Sequence, residues 1–111
     1  MDDQSLDVVF DLLADQRRRY VLACLIDHTE AIGLADLAAD VAGRENKEAV
    51  TKPPKEKVRT IHTSLYHIHI PKLVEAGVVE YDQDRDLVRV SETGEQIEHL
   101  LTVAADGGEE R

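Results

Sequence analysis

A run of helical periodicity from Val58 to Ala76 stops at Gly77 and passes directly into two short alternating segments, Val78-Val79-Glu80-Tyr81 and Leu87-Val88-Arg89-Val90. Shorter amphipathic runs lie on both sides of it. These observations predict a mainly α fold with a small β-hairpin wing, a winged helix-turn-helix, in the order α-α-(β)-α-α-β-β-α. One such domain is expected over residues 1–104, followed by a flexible acidic C-terminal tail at 105–111.

Ser5 is placed to cap a first helix with the stripe Val8, Val9, Leu12 and Leu13. Asp15 caps a second, from Gln16 to about His28, whose face is Tyr20, Val21, Cys24 and Leu25. Arg17, Arg18 and Arg19 open that helix. Two readings of them stay open: a solvated face pairing with Asp11 or Asp15, and a phosphate clamp. Thr29 to Gly33 is a linker in which Ala31 and Ile32 are expected to add a short strand to the hairpin. A third helix spans about Leu34 to Ala42, with Leu34, Leu37, Ala38 and Val41 inward and Gly43 as its stop.

Arg44 to Lys57 carries Pro53-Pro54 and many charges and reads as a loop. The fourth helix starts near Lys55 or Glu56 and ends at Gly77, so the recognition helix is expected at about 56–76. Pro71 predicts a kink or break, because it lacks an N–H and disfavours the α conformation at Ile70. Thr93 opens a last helix with Gln96 at the capping-box position and the stripe Ile97, Leu100, Leu101 and Ala104. Gly94, inside its first turn, has no evident reason.

Steps of about 100° divide the fourth helix. Val58, Ile61, His62, Leu65, Tyr66, His69 and Leu73 form the inward side. Thr60, Thr63, Ser64, His67 and Pro71 form the outward side, with Lys57 at its edge. Thr, Ser and His suit base edges and phosphates, and Lys57 suits a phosphate. A solvated or partner-binding face is the alternative. On the wing, Arg85 stands in an acidic tip, Asp82-Gln83-Asp84-Arg85-Asp86, and Arg89 lies further along the strand. Two readings stay open: both as candidate contacts, with Arg85 reaching a minor groove, and a solvated turn, since three aspartates weaken the wing as a phosphate grip. The candidate DNA-binding set is Lys57, Thr60, Thr63, Ser64, His67, Arg85 and Arg89.

The formal charge of −10 opposes nucleic-acid binding, which favours cations that release phosphate counterions. The charge is uneven. From Arg44 to Glu75, seven basic residues face four acids, a net of about +3, which leaves about −13 elsewhere. The acidic composition, with arginine outnumbering lysine, also resembles the proteins of salt-loving archaea. At molar salt the Debye length is only about 3 Å, so distant acids would repel a duplex little.

Other classes find less support. No run of ~18 apolar residues is present, so no membrane span is expected. The acidic start, Met1-Asp2-Asp3-Gln4, does not read as a signal peptide, and a cytoplasmic location is expected. Cys24 is the single cysteine, placed among apolar residues as a buried thiol. His62, His67 and His69 are spaced by five and two, whereas helical metal pairs converge at three or four. Neither metal nor cofactor is expected. A pH switch at His62 or His69 is an alternative role. No Gly-rich phosphate loop or nucleophile motif suggests an enzyme.

Val8 to Leu22 resembles the opening of arsenic-repressor-type winged-helix regulators, and Leu73-Val74-Glu75-Ala76-Gly77-Val78-Val79 resembles their helix-to-wing junction. Ser64 to Leu73 is similar to a haloarchaeal winged-helix family. The resemblance covers roughly Leu6 to Leu101 and implies a DNA-binding, often dimeric transcriptional regulator. It places Thr63, Ser64 and His67 on the exposed helix face. The connection between helices three and four is longer than the family's tight turn. No cysteine pair matches the arsenic repressors' metal motif, so metal sensing is not carried over.

The expected partners are therefore double-stranded DNA and a second copy of the chain, docked through the first and last helices. A winged helix that binds protein rather than DNA is the alternative.

Overall fold

Asp15 is the single residue between two helices, and its side chain organises the first half of the chain. In the computed structural model, which describes residues 3–28, 30–46, 52–97 and 99, α1 (Asp3–Ala14) meets α2 (Gln16–Asp27) at this residue. The Asp15 carboxylate accepts the N–H groups of Arg17 at 2.8 Å and Arg18 at 3.2 Å, satisfying two donors that the helix start leaves free. Ser5 lies inside α1 rather than capping it.

After α2, Ile32–Gly33 forms β1 and leads into α3 (Leu34–Glu45). α3 continues two residues past Gly43, contrary to the expected stop. Gly43 costs a helix only about 1 kcal/mol. The next two residues are anchored from outside, Arg44 by Asp27 and Glu45 by Arg17. Tertiary ion pairs thus outweigh a local preference.

The long helix begins at Lys55, as expected, and because α3 runs on to Glu45 the connection is shorter than the expected Arg44–Lys57 loop. Lys55–Ser64 is α4, Leu65–His69 is a π-helical turn, and Ile70–Glu75 is α5. Of the kink or break expected at Pro71, no break occurs, and the irregularity is a π-helical turn just before it. Ile70 stays helical (φ −63°, ψ −46°), and its N–H donates to the carbonyl of Leu65 five residues back. The wider turn relieves the clash between the proline ring and the carbonyl four residues before it. The extra residue also rotates the faces. Ile70, which uniform steps place about 180° from Ile61, is buried, whereas Tyr66, expected inward, is 40% exposed.

The helix ends in a complete Schellman motif. Gly77 adopts φ +78°, its N–H donates to Val74, and the Val78 N–H donates to Leu73, both at 2.9 Å. β2 (Val79–Asp82) and β3 (Leu87–Val90) then form the wing. The antiparallel sheet has the order β1-β3-β2, with Ile32 opposite Val88 and Val88 opposite Tyr81. The expected extra strand is therefore present. Alternation puts Val79 and Val88 in the core and Glu80 and Arg89 outside.

A last helix covers residues 92–97. Its cap is Ser91, not Thr93: Ser91 Oγ accepts the Gly94 N–H at 3.0 Å. A Cβ at Gly94 would stand 2.2 Å from the Val78 carbonyl oxygen and 2.4 Å from Val90 Cγ2. Glycine is needed because this helix crosses the sheet margin at backbone contact distance. Ile97 is buried, while Leu100, Leu101, Ala104 and the expected tail at 105–111 lie outside the described residues.

The core draws on every layer. Leu22 and Leu25 from α2, Leu37 and Val41 from α3, Ile61, Leu65 and Leu73 from the long helix, and Val88 from the sheet are fully enclosed. Each such side chain contributes about 1.5–3 kcal/mol through burial. The arrangement is a mainly helical fold with a small hairpin wing, as a winged helix-turn-helix requires.

Candidate functional site

Burial of Ile61 and Leu65 fixes the rotation of α4 and turns the opposite edge outward. Lys57, Thr60, Thr63 and His67 are exposed there, and Ser64 is half-buried at the margin. These five form one helical stripe. Arg59, absent from the candidate set, is also exposed and borders Thr63 one turn away. Among the described residues, Arg59, Lys52 and Lys55 make no ion pair. An exposed arginine beside the threonines was legible in the pattern, but its phase put it outside the selected face.

Ser64 is half-buried because Arg17 reaches it. Arg17 Nε donates to Glu45 Oε2 at 2.6 Å and Nη2 to Oε1 at 2.9 Å, a bidentate pair, while Nη1 donates to Ser64 Oγ at 3.4 Å. Lys57 Nζ lies 3.6 Å from the same Glu45 carboxylate. The hydrogen bond from Arg17 holds the Glu45 carboxyl below its usual range, and Glu45 in turn raises Arg17. One carboxylate from α3 thus holds two cations from α2 and α4. The group borders an open polar depression of about 500 Å³ that also includes Asp15, Gln16, Tyr20 and His69.

The rest of the arginine run serves the fold, and neither sequence reading describes it. Arg18 is buried, donating to the carbonyls of Leu12 at 2.9 Å and Asp11 at 3.0 Å. Arg19 donates to the Leu13 carbonyl. These oxygens belong to the end of α1, where helical carbonyls lack donors and positive charge is favoured. Arg18 Nη1 also meets His69 Nδ1 at 3.4 Å. Burial lowers the His69 pKa, with Asp15 opposing and the charges of Arg18, Arg17 and Lys72 reinforcing. Burial likewise pushes the Cys24 thiol up to about 11, so it is not a reactive thiolate.

The wing is tied into the body by its own acids. The Tyr81 hydroxyl donates to Asp86 Oδ1 at 2.6 Å, which pushes the phenol up to about 12. The Asp86 carbonyl accepts the Leu34 N–H at the start of α3. Arg85 is exposed at the tip, 3.9 Å from Asp82. Arg89 is engaged by its cross-strand neighbour Glu80 at 2.6 Å.

The structure does not bring Arg89 together with the helix stripe. Arg89 borders a depression at the C-terminal end of α2, with Leu25, His28 and Ala31. Ser64 meets Arg17 at the N-terminal end. Arg17 and Leu25 are eight residues apart on α2, about 12 Å along its axis.

His62 is half-buried, His67 exposed and His69 buried. Among the described residues no three His, Cys, Asp or Glu side chains gather as a metal site, and no helix is long and apolar enough to cross a membrane.

One family model, described as a domain of unknown function (DUF7344), matches residues 10–89. That span runs from the end of α1 through β3. No curated protein and no solved structure matches the chain.

Proposed function

Because the chain belongs to the DUF7344 family, whose description leaves function open, we propose from its site that it is a DNA-binding transcriptional regulator adapted to high salt. The observation that carries the reading is the exposed stripe of Lys57, Thr60, Thr63 and His67, flanked by Arg59 and Ser64. It lies on a long helix whose other side is packed in the core. A helix held in this way presents hydroxyl, imidazole and cationic groups to a major groove. Arg85 on the wing supplies a further contact. The protein acts by binding rather than by catalysis, in the cytoplasm of a haloarchaeon. The sequence resemblance to haloarchaeal and arsenic-repressor-type winged helices supports this reading.

The same resemblance supports a homodimer through the first and last helices. Phe10 on α1, 66% exposed, suits that role. Two-fold symmetry would then match a palindromic site.

The acidic body determines the experiment. Binding to genomic fragments and to random duplex is measured from 0.1 to 3 M KCl. The regulator is expected to retain specific binding at molar KCl, with a shallower salt slope than counterion release alone gives. Loss of all binding at every salt concentration would leave the second reading, a winged helix that docks on protein. That reading is favoured by the wing, where Arg85 and Arg89 are both engaged by neighbouring acids.

A further inference from the structure

At the start of α2, Arg17 and Lys57 share the carboxylate of Glu45, and the Ser64 hydroxyl lies against the same guanidinium. Asp15 also lines the depression; its Oδ1 accepts the Arg17 and Arg18 N–H groups, and its charge acts on Arg17 beside that of Glu45. We infer that Arg17, Lys57 and Ser64 form a contact site for one phosphate of a DNA backbone, and that Glu45 occupies it when no duplex is present. The inference rests on the DNA-binding reading above and extends it beyond the helix stripe to a second element.

Four arguments support it. A guanidinium recognises carboxylate and phosphate oxygens with the same two-pronged geometry, so a group that satisfies one is shaped for the other. The depression is open, which gives a phosphate an approach. Ser64 also belongs to the margin of the exposed stripe, so a backbone beside a groove-bound helix passes over this position. Arg18 and Arg19 are committed to the carbonyls of α1 and leave Arg17 as the member of the run available to a ligand. When the phosphate enters, it takes over donors from Glu45, whose charge opposes binding until it is displaced. No covalent step is involved.

The test compares full-length variants on one specific and one random duplex at several KCl concentrations. Glu45→Gln removes the competing charge, and Glu30→Gln, an equal charge change at an exposed position away from the depression, is its control. Glu45→Gln is expected to bind at least roughly threefold more tightly than Glu30→Gln. The gain should vanish in the Arg17→Gln, Glu45→Gln double variant. Lys57→Gln, on an exposed side chain, is expected to weaken both duplexes equally and reduce the salt slope by about one.

Equal affinities for Glu45→Gln and its control overturn the inference, as does a gain that persists without Arg17. If Glu45→Gln does not fold, Lys57→Gln decides alone, and an unchanged slope overturns the site. A wild-type protein that binds no duplex at any salt is a different result, because it removes the DNA-binding reading itself and this site with it.

Discussion

Arg18 and His69 meet at 3.4 Å inside the junction of α1, α2 and the π-helical turn, and this contact fixes the state of the histidine. A guanidinium has no acceptor, so a hydrogen bond here needs Nδ1 unprotonated, which the neutral ring supplies. Burial and the cations Arg18, Arg17 and Lys72 disfavour the charged form, with only Asp15 opposing.

The first prediction concerns pH. The folded pKa of His69 lies below its ordinary value, so the unfolded chain takes up this proton first as pH falls. The contribution to stability is complete above about pH 6.5 and declines as pH drops through that value toward the folded pKa. One proton sets a limit of about 1.4 kcal/mol per pH unit. Urea unfolding at pH 7.5 and 5.5 should show the loss, and His69→Leu should remove that part of it. An identical pH dependence in the variant would mean the ring is not the titrating group.

Arg18 itself joins two helices. Arg18→Met keeps the apolar stem but leaves the carbonyls of Asp11 and Leu12 without their donors. A destabilisation of about 2–3 kcal/mol is expected, with faster amide exchange in α1 than elsewhere. Arg18→Lys should recover little, because one ammonium cannot reproduce the planar fork.

Gly94 offers a test of sign. On helix propensity alone, Gly94→Ala should stabilise by about 1 kcal/mol. The close approach to Val78 and Val90 predicts the reverse, a loss of about 2 kcal/mol or more as the last helix is pushed off the sheet. Thermal unfolding separates the two.

Function gives a fourth prediction. Thr63→Glu places a carboxylate on the exposed stripe without disturbing the core and should reduce DNA affinity at least about tenfold. Arg89→Gln, at the depression beside the other end of α2, should change it little. Titration of both variants at one KCl concentration checks the pair. Equal losses would put the wing strand in the interface.

The sequence by itself determined the element order, the cap at Asp15, the glycine stop at Gly77 and the two hairpin segments, because each rests on local periodicity or a single backbone requirement. It also marked Thr60, Thr63 and His67 as outward, since their phase follows from the buried Ile61 and Leu65. Contacts between distant residues required the tertiary structure. α3 outruns Gly43 because Asp27 and Arg17 anchor its last turn. The glycine at position 94 became intelligible only with Val78 beside it. The three adjacent arginines look alike in sequence, yet two end on α1 carbonyls and one on Glu45 and Ser64. Their partners come from three different helices, and only the packing of those helices determines which donor meets which acceptor.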